Sequence, residues 1–258
     1  MKLVDQTNHP VDLQQPAARI ISLVPSQTEY LSFLGLSNEV VGITKFCVHP
    51  TDWFSKKERI GGTKNINIDK VIQLQPDLII ANKEENRKEE IEILRQHFQV
   101  YTSDIVSIND SFQMMKDVGR LAGKESIAVQ LCKSLKKDFT CLPIFSGTVL
   151  YLIWRSPYMT AGTNTFINTM LQLIGLKNAH QTNKRYDEIS EKMIAELNPD
   201  FIFLSSEPYP FKQAHVFELE RLTKAKVLLV DGEMFSWYGS RLQKFMPYVK
   251  KTLNSQLF

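Results

Sequence analysis

A Pro-Asp turn that joins the end of a helix to a buried strand occurs twice in this sequence. The first copy, residues 71–80, has the sequence VIQLQPDLII, and the second, residues 194–203, has the sequence IAELNPDFIF. Proline cannot continue a helix, and a short apolar run bounded by a turn is typical of a strand buried on both faces. Each copy therefore predicts a helix, a tight turn and a strand of a buried sheet.

The elements around this turn also recur in the same order. Residues 19–24 (RIISLV) predict a strand, followed by a helix that closes at residues 34–36 (LGL). Residues 149–154 (VLYLIW) predict the matching strand, followed by a helix that closes at residues 174–176 (IGL). Downstream, VYTSD at 100–104 corresponds to VLLVD at 227–231. Three element pairs in one order indicate two similar α/β lobes.

One amphipathic helix is predicted between the two lobes, over residues 124–140. Its apolar positions recur every four residues, and they are Ile127, Leu131, Leu135 and Phe139, with Ala128 and Cys132 beside them. Lysines occupy the other faces of this helix, as expected for a helix with one buried side. Gly123 precedes it and Pro143 follows it, which sets its limits. We therefore predict domains at 1–123 and 143–258, joined by a connecting helix at 124–142.

The bulk composition limits the classes of partner. The chain has 258 residues, 43% hydrophobic and 23% charged, with a net charge of +3 from 31 basic and 28 acidic side chains. This balance does not favour a nucleic-acid partner.

Nowhere do about 18 consecutive apolar residues occur, as a membrane-spanning helix needs. The first ten residues lack the apolar run of a secretory signal, so a cytoplasmic protein and a protein whose leader was removed both remain open. Residues 3–5 and 11–13 predict a small edge hairpin.

Ligand contacts are expected in the loops that follow the carboxyl ends of the strands. In the first lobe these loops supply Thr28, Lys45, Phe46, His49, Lys64 and Lys83. In the second lobe they supply Trp154, Arg155, Tyr158, Arg185, Tyr186, Glu207, Trp237, Tyr238 and Arg241. Large aromatic side chains in polar loops are typical walls of a concave ligand site. Of the neighbours Trp237 and Tyr238, we expect the tryptophan to face the ligand.

Ser26 and Glu29 have the spacing of a helix capping box.

Three segments resemble a known family: RIISLVPSQTEYLSFLGL, NINIDKVIQLQPDLIIA and the mid-chain helix. Together they are similar to the helical-backbone substrate-binding proteins of ABC importers for vitamin B12 and iron-siderophores. The resemblance covers nearly the whole chain. It implies two Rossmann-like lobes with mostly parallel sheets joined by a single long helix. It further implies a periplasmic monomer that holds a metal chelate between its lobes and passes it to an ABC permease, without catalysis, cofactor or nucleic acid.

The chain departs from this family at positions that affect the ligand. The B12-binding member has a cleft lined by tyrosine and tryptophan, and the matching positions here are Phe46, Thr63 and Asn82-Lys83. Family members dock to the permease through one acidic residue on each lobe. The matching positions are Asp69 and Lys192, with Glu191 adjacent, so Asp69 and Glu191 are the predicted docking residues. The predicted site gathers the cations Lys45, Lys64, Lys83, Arg155, Arg185 and Arg241. These cations favour an anionic or carboxylate-bearing ligand over neutral cobalamin.

The sequence offers few signals for an enzyme or a metal-binding protein. The sequence contains no dinucleotide-binding glycine motif, no P-loop and no nucleophile elbow. Cys47 and His49 could form a thiolate–imidazole pair. His49 could also bind a metal ion together with an acidic side chain from Glu84, Glu207, Asp231 or Glu233. The alternative hypothesis is a leaderless cytoplasmic protein that binds an anionic metabolite or a metal ion as a sensor or enzyme. We predict instead a binding protein that performs no chemistry.

Overall fold

A computed structural model describes residues 1–257. The chain forms two compact units, each built around its own sheet. The first unit contains residues 1–105, 109–134 and 238–241, and the second contains residues 106–108, 135–237 and 242 onward. Both units are therefore discontinuous in sequence. The predicted domain limits at 123 and 143 remain a prediction.

The first unit is built on a five-stranded sheet in which every pair of neighbours is parallel, in the order β5-β4-β3-β8-β9. Its strands are β1 (Lys2–Val4), β2 (Pro10–Asp12), β3 (Ile20–Ser22), β4 (Val40–Ile43), β5 (Glu58–Arg59), β6 (Gly61–Gly62), β7 (Asn65–Ile66), β8 (Leu78–Asn82) and β9 (Gln99–Ser103). Its helices are α1 (Pro25–Phe33), α2 (Thr51–Lys56), α3 (Ile68–Leu74), α4 (Lys88–Arg95) and α5 (Ile108–Leu121). Strand β8 is buried along its whole length, as a central strand covered on both faces must be.

The second unit has a mixed sheet in the order β13-β11-β10-β14-β15, with β12 paired to the start of β10. Its strands are β10 (Thr148–Trp154), β11 (Tyr158–Ala161), β12 (Lys177–Asn178), β13 (Tyr186–Ile189), β14 (Phe201–Ser205) and β15 (Lys226–Val230). Its helices are α7 (Phe166–Leu173), α8 (Glu191–Leu197), α9 (Gln213–Glu220), α10 (Gly232–Ser236), α11 (Leu242–Tyr248) and α12 (Asn254–Leu257). Strands β10, β14 and β15 are parallel, and β11 runs against both of its neighbours.

The predicted mid-chain helix is present as α6 (Glu125–Phe139), and the boundary between the two units falls within it after Ser134. Its buried side consists of Ala128, Leu131, Cys132 and Leu135. The predicted apolar stripe is wrong at Ile127, which is 38% exposed. A period of 3.6 residues drifts away from a strict spacing of four, so the ends of such a stripe rotate off the buried face.

The repeated turn has one structure in both units. Helices α3 and α8 each begin at a side-chain cap, where Asn67 accepts from the N–H of Lys70 and Ser190 accepts from the N–H of Met193. Each helix ends at a residue in the left-handed region, and these residues are Gln75 (φ 46°) and Asn198 (φ 41°). A left-handed C-terminal residue stops the helix and turns the chain toward the following strand.

The aspartate of the repeated Pro-Asp pair accepts hydrogen bonds from backbone N–H groups at the amino end of a central strand. Asp77 accepts from the backbone N–H groups of Ala18 (3.0 Å) and Arg19 (2.7 Å), just before β3. Asp200 accepts from the backbone N–H of Thr148 (2.6 Å), the first residue of β10. In both units the carboxylate satisfies donors that no neighbouring strand reaches. This shared task explains why the Pro-Asp pair occurs twice.

The predicted capping box at the start of α1 is wrong. The helix begins at Pro25, and its N-cap residue Val24 makes no side-chain cap bond. Proline fixes the backbone angle that the first helical residue needs, so the helix starts one residue before Ser26 can cap it. Glu29 instead forms an ion pair with Arg241.

The predicted N-terminal hairpin is confirmed as β1 and β2, and its residues cover the edge of β9. Asp5 accepts from the backbone N–H of Thr102 (3.0 Å), and Gln6 accepts from that of Asp104 (3.0 Å). An exposed edge strand can pair with other chains, and side-chain acceptors of this kind prevent such pairing.

Among residues 1–257, no helix combines the length and the apolar character needed to cross a membrane.

Candidate functional site

Beneath the carboxyl edge of the first sheet lies a layer of buried hydroxyl groups. Thr28 is fully buried, and its Oγ1 lies 2.7 Å from Ser22 Oγ, 2.9 Å from the carbonyl oxygen of Val24 and 3.0 Å from Cys47 Sγ. A side chain with this environment cannot touch a ligand. Thr28 is therefore corrected from a predicted ligand contact to a support for the loop after β4.

The same layer determines the chemistry of Cys47. Burial raises the pKa of its thiol, and hydrogen bonds to Thr28 and Thr44 only partly oppose that effect. The side chain is thus a neutral thiol at physiological pH, which is a weak nucleophile. A thiolate–imidazole pair between Cys47 and the half-buried His49 is not supported.

Above this layer, Phe46 presents an exposed aromatic ring at the end of β4. Its side chain is 51% exposed, and Lys45 Nζ lies 5.2 Å from the ring centroid. The ring rests on the backbone of Gly62, where an added Cβ would lie 3.2 Å from the ring edge. Glycine thus lets the ring lie close to the β6–β7 hairpin. Lys45 and Phe46, both predicted site residues, form an exposed aromatic surface with a cation over the ring.

The other two predicted lysines of this unit are held by the loop after β8. Lys83 Nζ forms an ion pair with Asp104 at 2.6 Å, and Lys64 Nζ donates to the backbone oxygen of Glu84 at 2.6 Å. Asn82 fixes this loop, because its side-chain oxygen accepts from the backbone N–H groups of Glu84 and Glu85. Glu85 is exposed at the surface, but the protein around it removes part of its hydration, and this desolvation raises the pKa of its carboxyl. The charge of Lys64 acts in the opposite direction and lowers that pKa.

In the second unit, an aromatic group stands at the carboxyl ends of β10 and β14. Trp154 is 40% exposed, and its ring centroid lies 5.6 Å from that of Tyr209. Tyr209 also packs edge-on against Phe211 (4.8 Å) and His215 (5.5 Å). The backbone N–H of Lys212 donates to His215 Nδ1 (2.8 Å), so Nε2 carries the proton and donates toward the Tyr209 hydroxyl (3.4 Å). This hydrogen bond orients the tyrosine ring.

Arg155 stands next to Trp154 and is anchored by neighbouring side chains. Its Nη2 forms an ion pair with Glu218 Oε2 at 2.9 Å. A hydrogen bond to Tyr158 raises the pKa of Arg155, so the guanidinium stays charged. The residues around it line a pocket of about 260 Å³, and they are Arg155, Ser156, Pro157, Tyr158, Ile189, Ser190 and Glu191. The pocket thus places the predicted docking residue Glu191 beside two predicted ligand residues.

Trp237 and Glu207 form a second polar contact in this unit. Glu207 Oε1 accepts from the indole N–H of Trp237 (2.8 Å) and from the hydroxyl of Ser236 (2.8 Å). Trp237 is only 7% exposed, so little of its ring reaches the surface of the protein. The roles of Glu207 and Trp237 in ligand binding remain predictions.

Within residues 1–257, no group of three or more His, Cys, Asp and Glu side chains is placed to hold a metal ion.

Two predicted residues, Arg185 and Tyr186, lie at the opposite end of β13 from the pocket that Arg155 and Tyr158 line. Arg185 and Tyr186 stand at the start of β13, whereas the last residue of β13, Ile189, pairs with Tyr158. Because β13 runs toward the edge where Tyr158 lies, its first residues are directed away from that edge. The structure therefore does not bring Arg185 and Tyr186 together with Arg155.

Tyr238 and Arg241 lie in the segment 238–241, which belongs to the first unit, and their roles in ligand binding remain predictions. Arg241 is 6% exposed, and its Nε donates to Glu29 Oε2 at 2.8 Å. Tyr238 is also buried, and Gln27 Nε2 donates to its hydroxyl at 3.4 Å. Burial raises the pKa of Tyr238, which keeps it neutral. Hydrogen bonds thus hold both side chains within the first unit.

Sequence reasoning placed Tyr209, Phe211, His215 and Glu218 outside the candidate set. A partial signal was present for the first two, because both aromatic residues lie in the proline-containing loop that follows β14. His215 and Glu218 carry no such signal. Their positions on α9 bring them to Tyr209 and Arg155 only once the helix is folded back onto the sheet.

Comparison with known proteins assigns the chain to a family. The family model described as periplasmic binding protein matches residues 20–228. The chain belongs to this family of periplasmic binding proteins. The prediction of a non-enzymatic, solute-binding component of an ABC importer is thereby confirmed, because members of this family are transport components.

Individual relatives agree with this assignment. An uncharacterised ABC transporter substrate-binding lipoprotein of Bacillus subtilis is 31% identical over 212 residues, covering 77% of this chain and 67% of the relative. A vitamin B12-binding protein of Vibrio vulnificus is 25% identical over 199 residues, covering 74% of this chain and 72% of the relative. The crystal structure of a possible iron-binding, periplasmic solute-binding protein of Staphylococcus epidermidis superposes with a TM-score of 0.78 at 25% identity, covering 95% of this chain and all of the other (100%). The two-lobed α/β fold class is confirmed by this similarity.

Proposed function

We propose that this periplasmic binding protein captures a metal chelate, a corrinoid or a ferric siderophore, as a monomer and delivers it to an ABC permease. One observation supports this ligand class most directly. In each unit an exposed aromatic ring stands beside a cation at the carboxyl ends of the strands. The first unit has Phe46 with Lys45, and the second has Trp154 with Arg155.

An exposed ring beside a cation suits a large ligand with an apolar face and a polar rim. Phe46 and Trp154 leave about half of their side chains in water, which is unfavourable until a ligand covers them. Metal chelates of these two classes have broad apolar faces and hydrogen-bonding groups at their edges. The names of the Vibrio and Staphylococcus relatives, one for vitamin B12 and one for iron, support the same ligand class.

Calorimetric titration with a panel of chelates tests this proposal. The panel consists of cyanocobalamin, a ferric catecholate and a ferric hydroxamate. We expect one of them to bind, and we expect Phe46→Ala to weaken its binding by roughly tenfold or more, as for a contact at an aromatic anchor. Phe33→Ala is the matched control, because Phe33 is exposed to a similar extent (42%) at the opposite end of α1 from the strand edge. Equal losses in the two variants would contradict the proposal, and so would failure of these three chelates together with failure of corrins and iron porphyrins that carry free carboxylates.

We further propose that Asp69 and Glu191 contact the permease on the outer side of the cytoplasmic membrane. Both are exposed and lie in the first turns of α3 and α8, the helices that precede the repeated Pro-Asp turn. The Bacillus relative is a lipoprotein, which supports this location. Asp69 does not line the pocket that Glu191 shares with Arg155, so it is the residue to substitute. The variant Asp69→Lys should bind the chelate normally and fail to support uptake by a reconstituted transporter. Normal uptake would show that docking depends on other residues.

A further inference from the structure

The cations predicted for the site differ in how much charge they retain. Three of them are paired with carboxylates at 2.6–2.9 Å, and these pairs are Lys83–Asp104, Arg155–Glu218 and Arg241–Glu29. Lys45 forms no ion pair with any residue between 1 and 257. A paired cation has little charge left to attract an anion, whereas Lys45 retains its whole charge.

Lys64, the neighbouring lysine, is held by the loop after β8. Its Nζ donates to the backbone oxygen of Glu84, and its charge lowers the pKa of Glu85. The ammonium group of Lys64 is therefore held by this loop through its bond to the Glu84 carbonyl oxygen. Lys45 is left as the cation of the first unit that is available to a ligand.

The position of Lys45 suits a group at the rim of a flat molecule. Its ammonium group lies 5.2 Å from the centroid of the exposed Phe46 ring. Its Cε lies 3.4 Å from the place where a Cβ on Gly62 would stand, so the stem of the side chain rests on the same hairpin as the ring. A chelate whose edge packs against the exposed Phe46 ring therefore meets the three N–H donors of Lys45.

We infer that Lys45 and Phe46 form a subsite for a carboxylate at the rim of the chelate. This inference rests on the proposed function and narrows it to chelates that carry free carboxylates. A ligand with only amide side chains would remove water from the ammonium group without supplying a negative charge, which is unfavourable. A carboxylate would supply a charge-assisted hydrogen bond at the same place.

Matched pairs of chelates test the inference. The first pair is cobyrinic acid, whose side chains end in carboxylates, and the same corrin with amide side chains. The second pair is iron protoporphyrin and its dimethyl ester. In at least one pair we expect the protein to prefer the carboxylate form by roughly 10- to 100-fold, the range for one hydrogen bond to a charged group. Raising the salt concentration should reduce this preference, because the charge is exposed.

Two variants with the same loss of charge assign the effect to one lysine. Lys45→Gln should abolish the preference for the carboxylate form, measured as the ratio of the affinities of the two forms for the same variant. Lys83→Gln should keep the preference, because the charge of Lys83 is already paired with Asp104. If the wild type binds both forms equally, or if Lys45→Gln keeps the preference, the inference is wrong and the proposed function stands. If no chelate of either pair and none of the earlier panel binds, the proposed function fails and the inference fails with it.

Discussion

The ion pair between Arg241 and Glu29 joins the segment 238–241 to helix α1 inside the first unit. Its side chains are only 7% and 17% exposed, and the two atoms lie 2.8 Å apart. Removing one partner of a buried pair leaves the other charge in a poorly solvated place. We expect Arg241→Met to lower the free energy of unfolding by about 3 kcal/mol, measured by urea denaturation.

A surface ion pair provides the control for this prediction. Lys2 pairs with Asp12 at 3.0 Å, and its side chain is 82% exposed. Lys2→Met should change the free energy of unfolding by less than about 1 kcal/mol, because water already solvates both charges. Equal effects of the two substitutions would show that Arg241 is not a stabilising residue.

Trp237 contributes a hydrogen bond as well as a ring. Replacing it with phenylalanine removes the indole N–H that Glu207 accepts, and leaves an aromatic ring in place. A hydrogen bond to a charged acceptor contributes about 1.5–3 kcal/mol, so Trp237→Phe should lower the free energy of unfolding by about that amount. Trp154→Phe serves as the reference, because Trp154 makes ring contacts and is half exposed. A Trp237→Phe protein as stable as the wild type would exclude this hydrogen bond from the folded state.

Several residues of the site could not be placed from the sequence because their partners are distant in it. Arg241 and Glu29 are separated by 212 positions, and Tyr238 and Gln27 by 211. No local pattern of charges or apolar residues encodes such pairs. The positions of Phe46 and Trp154 were predictable, because each lies at or shortly after the end of an apolar strand, and the carboxyl ends of parallel strands lie at one edge of a sheet.

The Pro-Asp turn was predictable as an element because its signals are local. The proline, the apolar run and the helical spacing all lie within about ten residues of one another. The task of the aspartate was not visible in the sequence, because Asp77 and Asp200 bond to backbone groups more than fifty residues away in the chain. The start of α1 was missed because a proline at its first position replaced the expected serine cap.

The pH dependence of stability tests the role of Asp200. A hydrogen bond from the backbone N–H of Thr148, followed by one from its side chain, lowers the pKa of Asp200 in the folded protein. A lowered pKa in the folded state stabilises the protein above the unfolded pKa of about 3.9, and this stabilisation is lost as the pH falls through the folded value. We expect Asp200→Asn to be less stable than the wild type at about pH 6 and the difference to shrink below about pH 3.

Urea denaturation of both proteins at several pH values measures this difference. The asparagine keeps one oxygen acceptor, so the comparison isolates the charge of the carboxylate. A difference in stability that stays constant from neutral to acid pH would show that the ionised form of Asp200 gives no particular stabilisation.

At the scale of the whole molecule, the sequence predicted the two-unit α/β fold because the internal repeat reports two copies of one arrangement. The sequence did not predict that the segments 106–108 and 238–241 each join the other unit. Such crossings depend on long-range packing, which a periodic pattern does not record. The proposed ligand residues and docking residues come from both units, so the proposed function requires both units to be folded.

Native mass spectrometry of the protein purified from its own host tests the central claim, that the natural ligand is a metal chelate. We expect a fraction of the protein to carry one additional mass that shows the isotope pattern of cobalt or iron and is lost when the protein is denatured. A bound molecule without a metal, such as a sugar, an amino acid or a peptide, would contradict the claim. So would a protein that carries no ligand and also fails to bind the corrinoid, porphyrin and ferric chelates offered to it.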